Sequence, residues 1–246
     1  MKVETVTLDL WGTLLHDGPA SDNRYKKRRM ADFSTLLGAA GFSVSASSLD
    51  RAYDESGAYL SRVWSRHRDV PGVDHVRAIL AALDPSMPRR VPPALLSALL
   101  DAYSRPILLL PPAVDEGALA ALEALKGSGY KLALVSNIMR TPGATLRELL
   151  RRFRLLDYFE QTTFSDEAGI RKPAPEIFAL TLRAIGSDAA TSVHVGDDPI
   201  LDVQGAKAAG MRVIQVTSSS RGNSNRPDLT ISRLAELPAA IERLDG

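Results

Sequence analysis

VETVTLDLWGTLL, residues 3–15, decides how this chain is read. Val3, Val6, Leu8 and Leu10 are apolar, with β-branched Thr5 and Thr7 between them, the pattern of a buried strand. The strand runs into a carboxylate, Asp9, followed by Gly12 and Thr13. Such a strand belongs in the centre of a sheet, and in open α/β sheets ligands bind at the carboxyl ends of the strands. Asp and Gly are also ordinary turn residues, so the stretch taken alone fits a plain turn as well as a site.

Outward from it, residues 16 to about 105 show helical periodicity and no convincing strand. Helices are expected over Arg24–Gly41, from Ser47 or Ser48 through Trp64, over Val73–Leu83 and over Pro93–Tyr103. Short loops between them predict a small four-helix module. From about Pro111 helix and strand alternate: helices over Val114–Lys126, Thr145–Arg154, Glu176–Ile185 and Leu201–Ala209, strands over Lys131–Val135, Thr162–Phe164, Ser192–Val195 and Arg212–Val216. Thr217–Pro227 is polar and is expected to be a mobile loop, and a last strand–helix pair fills Leu229–Leu244. This alternation predicts an α/β fold, a Rossmann-like parallel sheet with helices on both faces. Residues 1–15 and 106–246 would form that core and 16–105 an inserted helical module.

The composition is that of a globular protein: 246 residues, 45% apolar and 24% charged, with a net charge of +1. No global field favours nucleic acid or an anionic membrane. The absence of cysteine excludes a disulfide framework, a thiolate zinc site and a cysteine nucleophile, and fits a cytoplasmic location. Met1-Lys2 runs into the first strand without a signal-peptide core, and the longest apolar run, Pro106 to Val114, is too short to span a bilayer. Nothing in the pattern indicates an oligomeric state.

Each confidently drawn strand ends in polar groups. The first ends in Asp9, Gly12 and Thr13, KLALV in Ser136-Asn137, and SVHV in Gly196-Asp197-Asp198 with Asp202 one turn on; the loop GIRKPAP carries Lys172. A parallel sheet gathers all of these along one edge. Singly, Ser136 reads as a helix cap, Lys172 as a solvated lysine and Asp198 before Pro199 as a helix start. Together their charges do not balance, because two carboxylates about 4 Å apart repel by roughly 4 kcal/mol at an effective dielectric near 20. One lysine cannot offset several such pairs, whereas a divalent cation would. All-oxygen ligands suit Mg²⁺, and Mg²⁺ beside Lys, Ser and Thr donors is a phosphoryl-binding constellation.

At these residues the sequence resembles the haloacid dehalogenase superfamily in its phosphatase-rich branch. The motifs are Asp9-Leu-Trp-Gly12-Thr13, Ser136-Asn137, Lys172-Pro173-Ala-Pro175 and Gly196-Asp197-Asp198 with Asp202, in that order over nearly the whole chain. The resemblance implies a Rossmann-like core with a helical cap inserted after the first motif. It implies that Asp9 is the nucleophile, that Thr13 and Ser136, with Asn137, bind phosphate oxygens, and that Lys172 neutralises charge and keeps Asp9 ionised. It further implies Mg²⁺ held by Asp9, the Trp11 backbone carbonyl and Asp197, with Asp198 or Asp202 binding the ion or its water shell. The partner would be a small phosphorylated metabolite selected by the cap.

Trp11 departs from the family pattern. Its phosphatases usually carry a second aspartate there as general acid and base, and indole can be neither. Losing such a group costs about 10²–10⁴-fold in rate. Three readings follow: a phosphatase acting on good leaving groups or recruiting an acid from the cap or from His16; a catalytically weak phospho-ligand-binding or regulatory protein; or a 2-haloacid dehalogenase, which carries an aromatic residue at this position and needs no metal. The paired acids Asp197 and Asp198 argue against the last. Of the remaining signals, His194 reads as core, His67 and His75 lack metal-ligand spacing, and Trp64 reads as cap core. Arg24–Arg29 reads as a solvated helix face, with anionic-substrate binding as the alternative.

Overall fold

The strand β1 (Thr5–Leu8) lies inside a six-stranded, all-parallel sheet. The computed structural model describes residues 2–18, 20–217 and 226–245; most of the polar stretch expected to be mobile lies outside them. β2 (Leu15–His16) and β3 (Ala113–Val114) pair antiparallel, apart from the sheet. Then come β4 (Lys131–Ser136), β5 (Gln161–Phe164), β6 (Ser192–Gly196), β7 (Arg212–Val216) and β8 (Leu229–Ile231), and the sheet order is β5-β4-β1-β6-β7-β8. Leu8 pairs with Leu134 on one side and Val195 on the other. The ends of β1, β4 and β6 therefore meet at one sheet edge.

Alternation along the strands sorts the core. Val6, Leu8, Leu132, Leu134, Val193 and Val195 pack with the helices Ala118–Gly127, Gly143–Arg152 and Leu237–Asp245. Val135 and Val213 pack with Pro175–Ala184 and the turns around Val203 and Ala206. Thr7 and His194 are hydrogen-bonded to each other, and the His194 ring meets Phe178 edge-on. Both faces are thus covered, which is why β1 alternates Val or Leu with Thr and no residue in it is exposed.

Between β2 and β3 the chain leaves the sheet as helices Ser21–Ala39, Ala46–Trp64, Gly72–Leu83 and Pro93–Ser104, with short helical turns at Met87–Arg90 and Pro106–Leu109. These helices build their own core from Phe33, Leu37, Leu49, Ile79, Leu80, Leu99 and Tyr103. Ser45 caps the second helix, accepting from the Ser48 N–H at 3.1 Å; Ser47 and Ser48, expected as caps, lie inside it.

Two further boundaries differ for physical reasons. The helix expected from Val114 starts at Ala118, because Ala113–Val114 is used by β3. The helix expected from Leu201 opens as a π-helical stretch over Pro199–Gln204 before one α-turn, Gly205–Ala208. The Asp198 carboxylate caps it, accepting from Ile200 and Leu201 N–H at 2.8 and 2.7 Å. Wide turns of this kind are frequent at functional sites, and here the turn carries Asp202.

Candidate active site

Asp9 continues the β1 ladder, its N–H donating to Val195 at 2.9 Å, so its carboxyl stands at the sheet edge, on a residue only 6% exposed. Lys172 reaches the same point from the loop after Gly169. Its ammonium donates to Asp9 at 2.5 Å and to Asp202 at 2.6 Å. Asn137 holds that loop: its Oδ1 accepts from the Lys172 N–H at 2.8 Å and its Nδ2 donates to the Lys172 carbonyl at 3.0 Å. The Asn137 side chain, expected at the phosphate, is instead committed to the lysine's backbone.

Asp197 completes the cluster. Asp9, Asp197 and Asp202 each offer an oxygen within 4.8 Å of the other two, a spacing one cation can bridge. Asp198 is not in this group because its carboxylate caps the following turn. Glycine makes the close approach possible. A Cβ on Gly12, whose φ is +78°, would lie 2.4 Å from Asp197 Oδ2, and one on Gly196 would lie 2.3 Å from Asp202 Cγ. Gln215 donates to the Asp197 carbonyl at 2.9 Å.

The electrostatics are those of three acids, two buried and one half-buried, around one base. Burial pushes the Asp9 carboxyl up to about 7 against the pull of Lys172, with Asp202 adding to the rise. Burial and the neighbouring Asp202 push Asp197 up to about 6. For Asp202 burial works upward too, but Lys172 and His194 hold the acid below its ordinary range. The Lys172 ammonium is held above its ordinary range, the two carboxylates outweighing burial.

His194 is more than core. Its Nε2 meets Asp202 Oδ1 at 3.0 Å and its Nδ1 meets Thr7 Oγ1 at 2.8 Å. Burial lowers its pKa, against the upward pull of Asp202, which favours the neutral ring. An ionised Asp202 requires the proton on Nε2, leaving Nδ1 to accept from Thr7. Nothing in the period of SVHV separates this histidine from a packed one; only a carboxylate arriving from the next turn does.

Among the described residues, Thr13 Oγ1 is buried without a hydrogen-bond partner, and Ser136 Oγ has only a long 3.3 Å bond to the adjacent Asn137 carbonyl. Both hydroxyls have capacity for a ligand, and burying a hydroxyl unpaired is costly. Trp11 lines a cleft of about 210 Å³ with Gly12, Tyr25, Arg29, Met139 and Arg140, between the sheet edge and the inserted helices. His16, considered as a substitute acid, faces Asp115 at 3.2 Å on the β2–β3 ribbon.

The inserted helices also touch the lysine loop. Asp69, between the second and third helices, accepts from Arg171 and Ser165 at 2.6 Å each. Trp64, expected as cap core, donates to Asp69 at 2.9 Å and is stacked by Arg171. Arg29 departs from the solvated basic face: it is 2% exposed and bonded to Tyr103, Tyr53 and Thr141.

The family described as haloacid dehalogenase-like hydrolase matches residues 3–210, most of the chain. The chain belongs to the haloacid dehalogenase-like hydrolases. Among curated relatives it is 35% identical over 100 residues to a glyceraldehyde 3-phosphate phosphatase of Pyrococcus abyssi, covering 40% of each protein. It is 33% identical over 117 residues to a phosphoglycolate phosphatase of Aquifex aeolicus, covering 47% of this chain and 53% of that one. The chain spans about half the length of the curated relatives it matches. Among solved structures, a 2-haloacid dehalogenase of Pseudomonas syringae superimposes with a TM-score of 0.68 at 25% identity, over 98% of this chain and 99% of that one. A haloacid dehalogenase-type phosphatase of Thermococcus onnurineus superimposes with a TM-score of 0.61 at 25% identity, over 98% of both. No helix among its described residues is long and apolar enough to cross a membrane.

Proposed function

We propose that this hydrolase is a Mg²⁺-dependent phosphatase of small phosphorylated metabolites, with Asp9 as its nucleophile. The observation that carries the reading is the imbalance at the sheet edge. Three carboxylates stand within reach of one cation, one ammonium lies among them, and the Thr13 hydroxyl is buried unpaired. Asp9, Asp197 and the Trp11 carbonyl would hold the ion, with Asp202 on it or on its water, and the all-oxygen set suits Mg²⁺. When bound, the ion screens the anionic nucleophile from the anionic substrate.

The chain's own groups do the rest. Thr13 and Ser136 donate to the phosphoryl oxygens. Lys172 neutralises charge beside Asp9, and Asn137, Asp202 and His194 hold Lys172 in place. An Asp9 oxygen attacks phosphorus, the bond to the leaving oxygen breaks, and an aspartyl phosphate remains. Water then attacks phosphorus, the bond to Asp9 breaks, and the carboxylate returns with inorganic phosphate. Trp11 has no proton to give, so leaving groups of low basicity are expected to react fastest. Selectivity for the remainder of the substrate falls to the cleft and the inserted helices, residues 16–105, which we read as a cap.

Trp11 favours a second reading. A halide leaves without a proton, so Asp9 could instead displace it from a 2-haloacid. The acid cluster argues against this, since it serves no purpose in a metal-free displacement. Phosphate release is measured with and without Mg²⁺ across an acyl phosphate, p-nitrophenyl phosphate and sugar phosphates, beside halide release from 2-haloacids. Metal-dependent phosphate release abolished by Asp9→Asn supports the phosphatase. Metal-independent halide release without phosphate release replaces it with the dehalogenase.

A further inference from the structure

Two guanidinium groups without a carboxylate partner among the described residues stand at the cleft beside Trp11. Arg29 is 2% exposed and Arg140 half-buried, and both line the cleft. Arg29 Nε donates to the Tyr103 carbonyl at 2.7 Å, Nη1 to the Tyr53 hydroxyl at 2.9 Å and Nη2 to Thr141 Oγ1 at 3.3 Å. Arg140 donates to Ser56 Oγ at 2.9 Å and to the Tyr53 carbonyl at 3.2 Å. Their planes lie over aromatic rings, Arg29 4.6 Å from the Tyr103 centroid and Arg140 4.2 Å from that of Tyr53. Every one of these acceptors is neutral.

Such an arrangement is costly for a charge as deeply buried as Arg29. A buried charge is ordinarily paired, and each guanidinium carries five N–H donors, more than these acceptors use. Other arginines of this chain show the ordinary solution: Arg171 meets Asp69, and Arg147 meets Glu167. Asp17 and Asp22 line the same cleft, but neither forms an ion pair with Arg29 or Arg140. The two arginines come from opposite walls, Arg29 from the first inserted helix and Arg140 from the loop after β4. They meet over Tyr53, and Thr141, the neighbour of Arg140, bonds to Arg29.

We propose that Arg29 and Arg140 form a subsite for a second anionic group of the substrate, a carboxylate or a second phosphate, apart from the phosphoryl group at Asp9. The substrate class is then a small phosphate ester bearing such a group, bridging the sheet edge and the inserted helices. This rests on the phosphatase reading and narrows it. Filling the subsite supplies the counter-charge both arginines lack, so the anion also ties the two walls of the cleft together.

The test uses the whole chain with Mg²⁺. Values of kcat/KM are compared for 2-phosphoglycolate, ribulose 1,5-bisphosphate and glyceraldehyde 3-phosphate, and calorimetry compares 3-phosphonopropionate with ethylphosphonate. The carboxylate or the bisphosphate should be preferred over glyceraldehyde 3-phosphate, which carries no second anionic group, by tenfold or more, through KM, and the better of the two identifies the second group. 3-Phosphonopropionate should bind correspondingly tighter than ethylphosphonate. In Arg140→Gln that preference should shrink towards one, and Arg140→Lys should restore part of it; Arg29→Lys is the second variant, its folding checked by circular dichroism. Equal preference in the wild type, or Arg140→Gln weakening all substrates and both phosphonates alike, overturns the subsite and reduces the arginines to a structural tie. Absence of turnover on every phosphate overturns the phosphatase reading instead, and the two phosphonates then still decide whether the subsite exists.

Discussion

Replacing Lys172 by Met should unbalance the sheet edge in a way that can be measured without substrate. The ammonium lies 2.5 Å from Asp9 and 2.6 Å from Asp202, and all three side chains are almost wholly buried. Without it, three carboxylates face one another with oxygens at most 4.8 Å apart. At that distance each ionised pair repels by about 3.5 kcal/mol at an effective dielectric near 20. Asp9 protonates rather than bear the whole repulsion, so the expected loss is that of breaking a buried ion pair, about 3–5 kcal/mol. For a chain of this size that is a fall in Tm of about 6–20 °C.

The sign with pH is definite. The folded pKa of Asp9 is raised to about 7 from 3.8, so its stabilising share is complete below 3.8 and is lost as pH rises through the folded value. Without Lys172 that window moves upward, and the deficit against wild type is larger at pH 8 than at pH 5. Mg²⁺ should raise the Tm of both proteins after chelation, and more in the variant at pH 8, where the carboxylates lack the ammonium's counter-charge. Thermal unfolding at both pH values, with chelator and with Mg²⁺, checks all three expectations. A variant as stable as wild type at pH 8, with the same Mg²⁺ increment, would refute the account of the cluster.

The other expectations are briefer. Asp198→Asn keeps a good helix cap and should leave Tm and turnover nearly unchanged, whereas Asp202→Asn should lower both; the reverse order would make Asp198 the ligand. Gly196→Ala should cost about 1–3 kcal/mol by overpacking in chemical denaturation, and more in activity, since its Cβ would displace Asp202. Trp11→Asp should raise turnover of poor leaving groups by about 10²-fold or more and that of an acyl phosphate little; a uniform change would mean leaving-group protonation is not limiting. Burial holds His75 down at about 4 from 6.5, with Asp69 pulling up and Arg140, Arg29 and Arg171 pushing down. The unfolded chain therefore takes a proton that the folded one refuses, and stability is lost as pH falls from 6.5 towards 4, by about 2 kcal/mol between pH 7 and pH 5. His75→Gln should flatten that slope in denaturant titrations.

Residues 3–15 and the strand ends carried a great deal by themselves. A strand alternating Val and Leu with Thr, ending in Asp9, needs both faces covered, and the helix–strand alternation after Pro111 leaves few ways to do so other than a parallel sheet. Parallel strands end on the same side, so Asp9, Ser136, Asp197, Asp202 and Lys172 converge by topology before any distance is known. Roles that turn on where a side chain points were a different matter. Asp198 and Asp202 are both acids near one strand end, and only the π-helical turn spends the first on a cap and sends the second to Lys172. Asn137 resembles a ligand in sequence and is a clasp in space. His194 and Arg29 looked like a core residue and one more charge on a basic helix. Their partners, Asp202 beyond the next turn and Tyr103 some 74 residues away, lie at separations that no local periodicity records. Local pattern determines which elements form and which way the strands run; which buried charges go unpaid is decided only by packing, and at this sheet edge and its cleft those charges point to the chemistry.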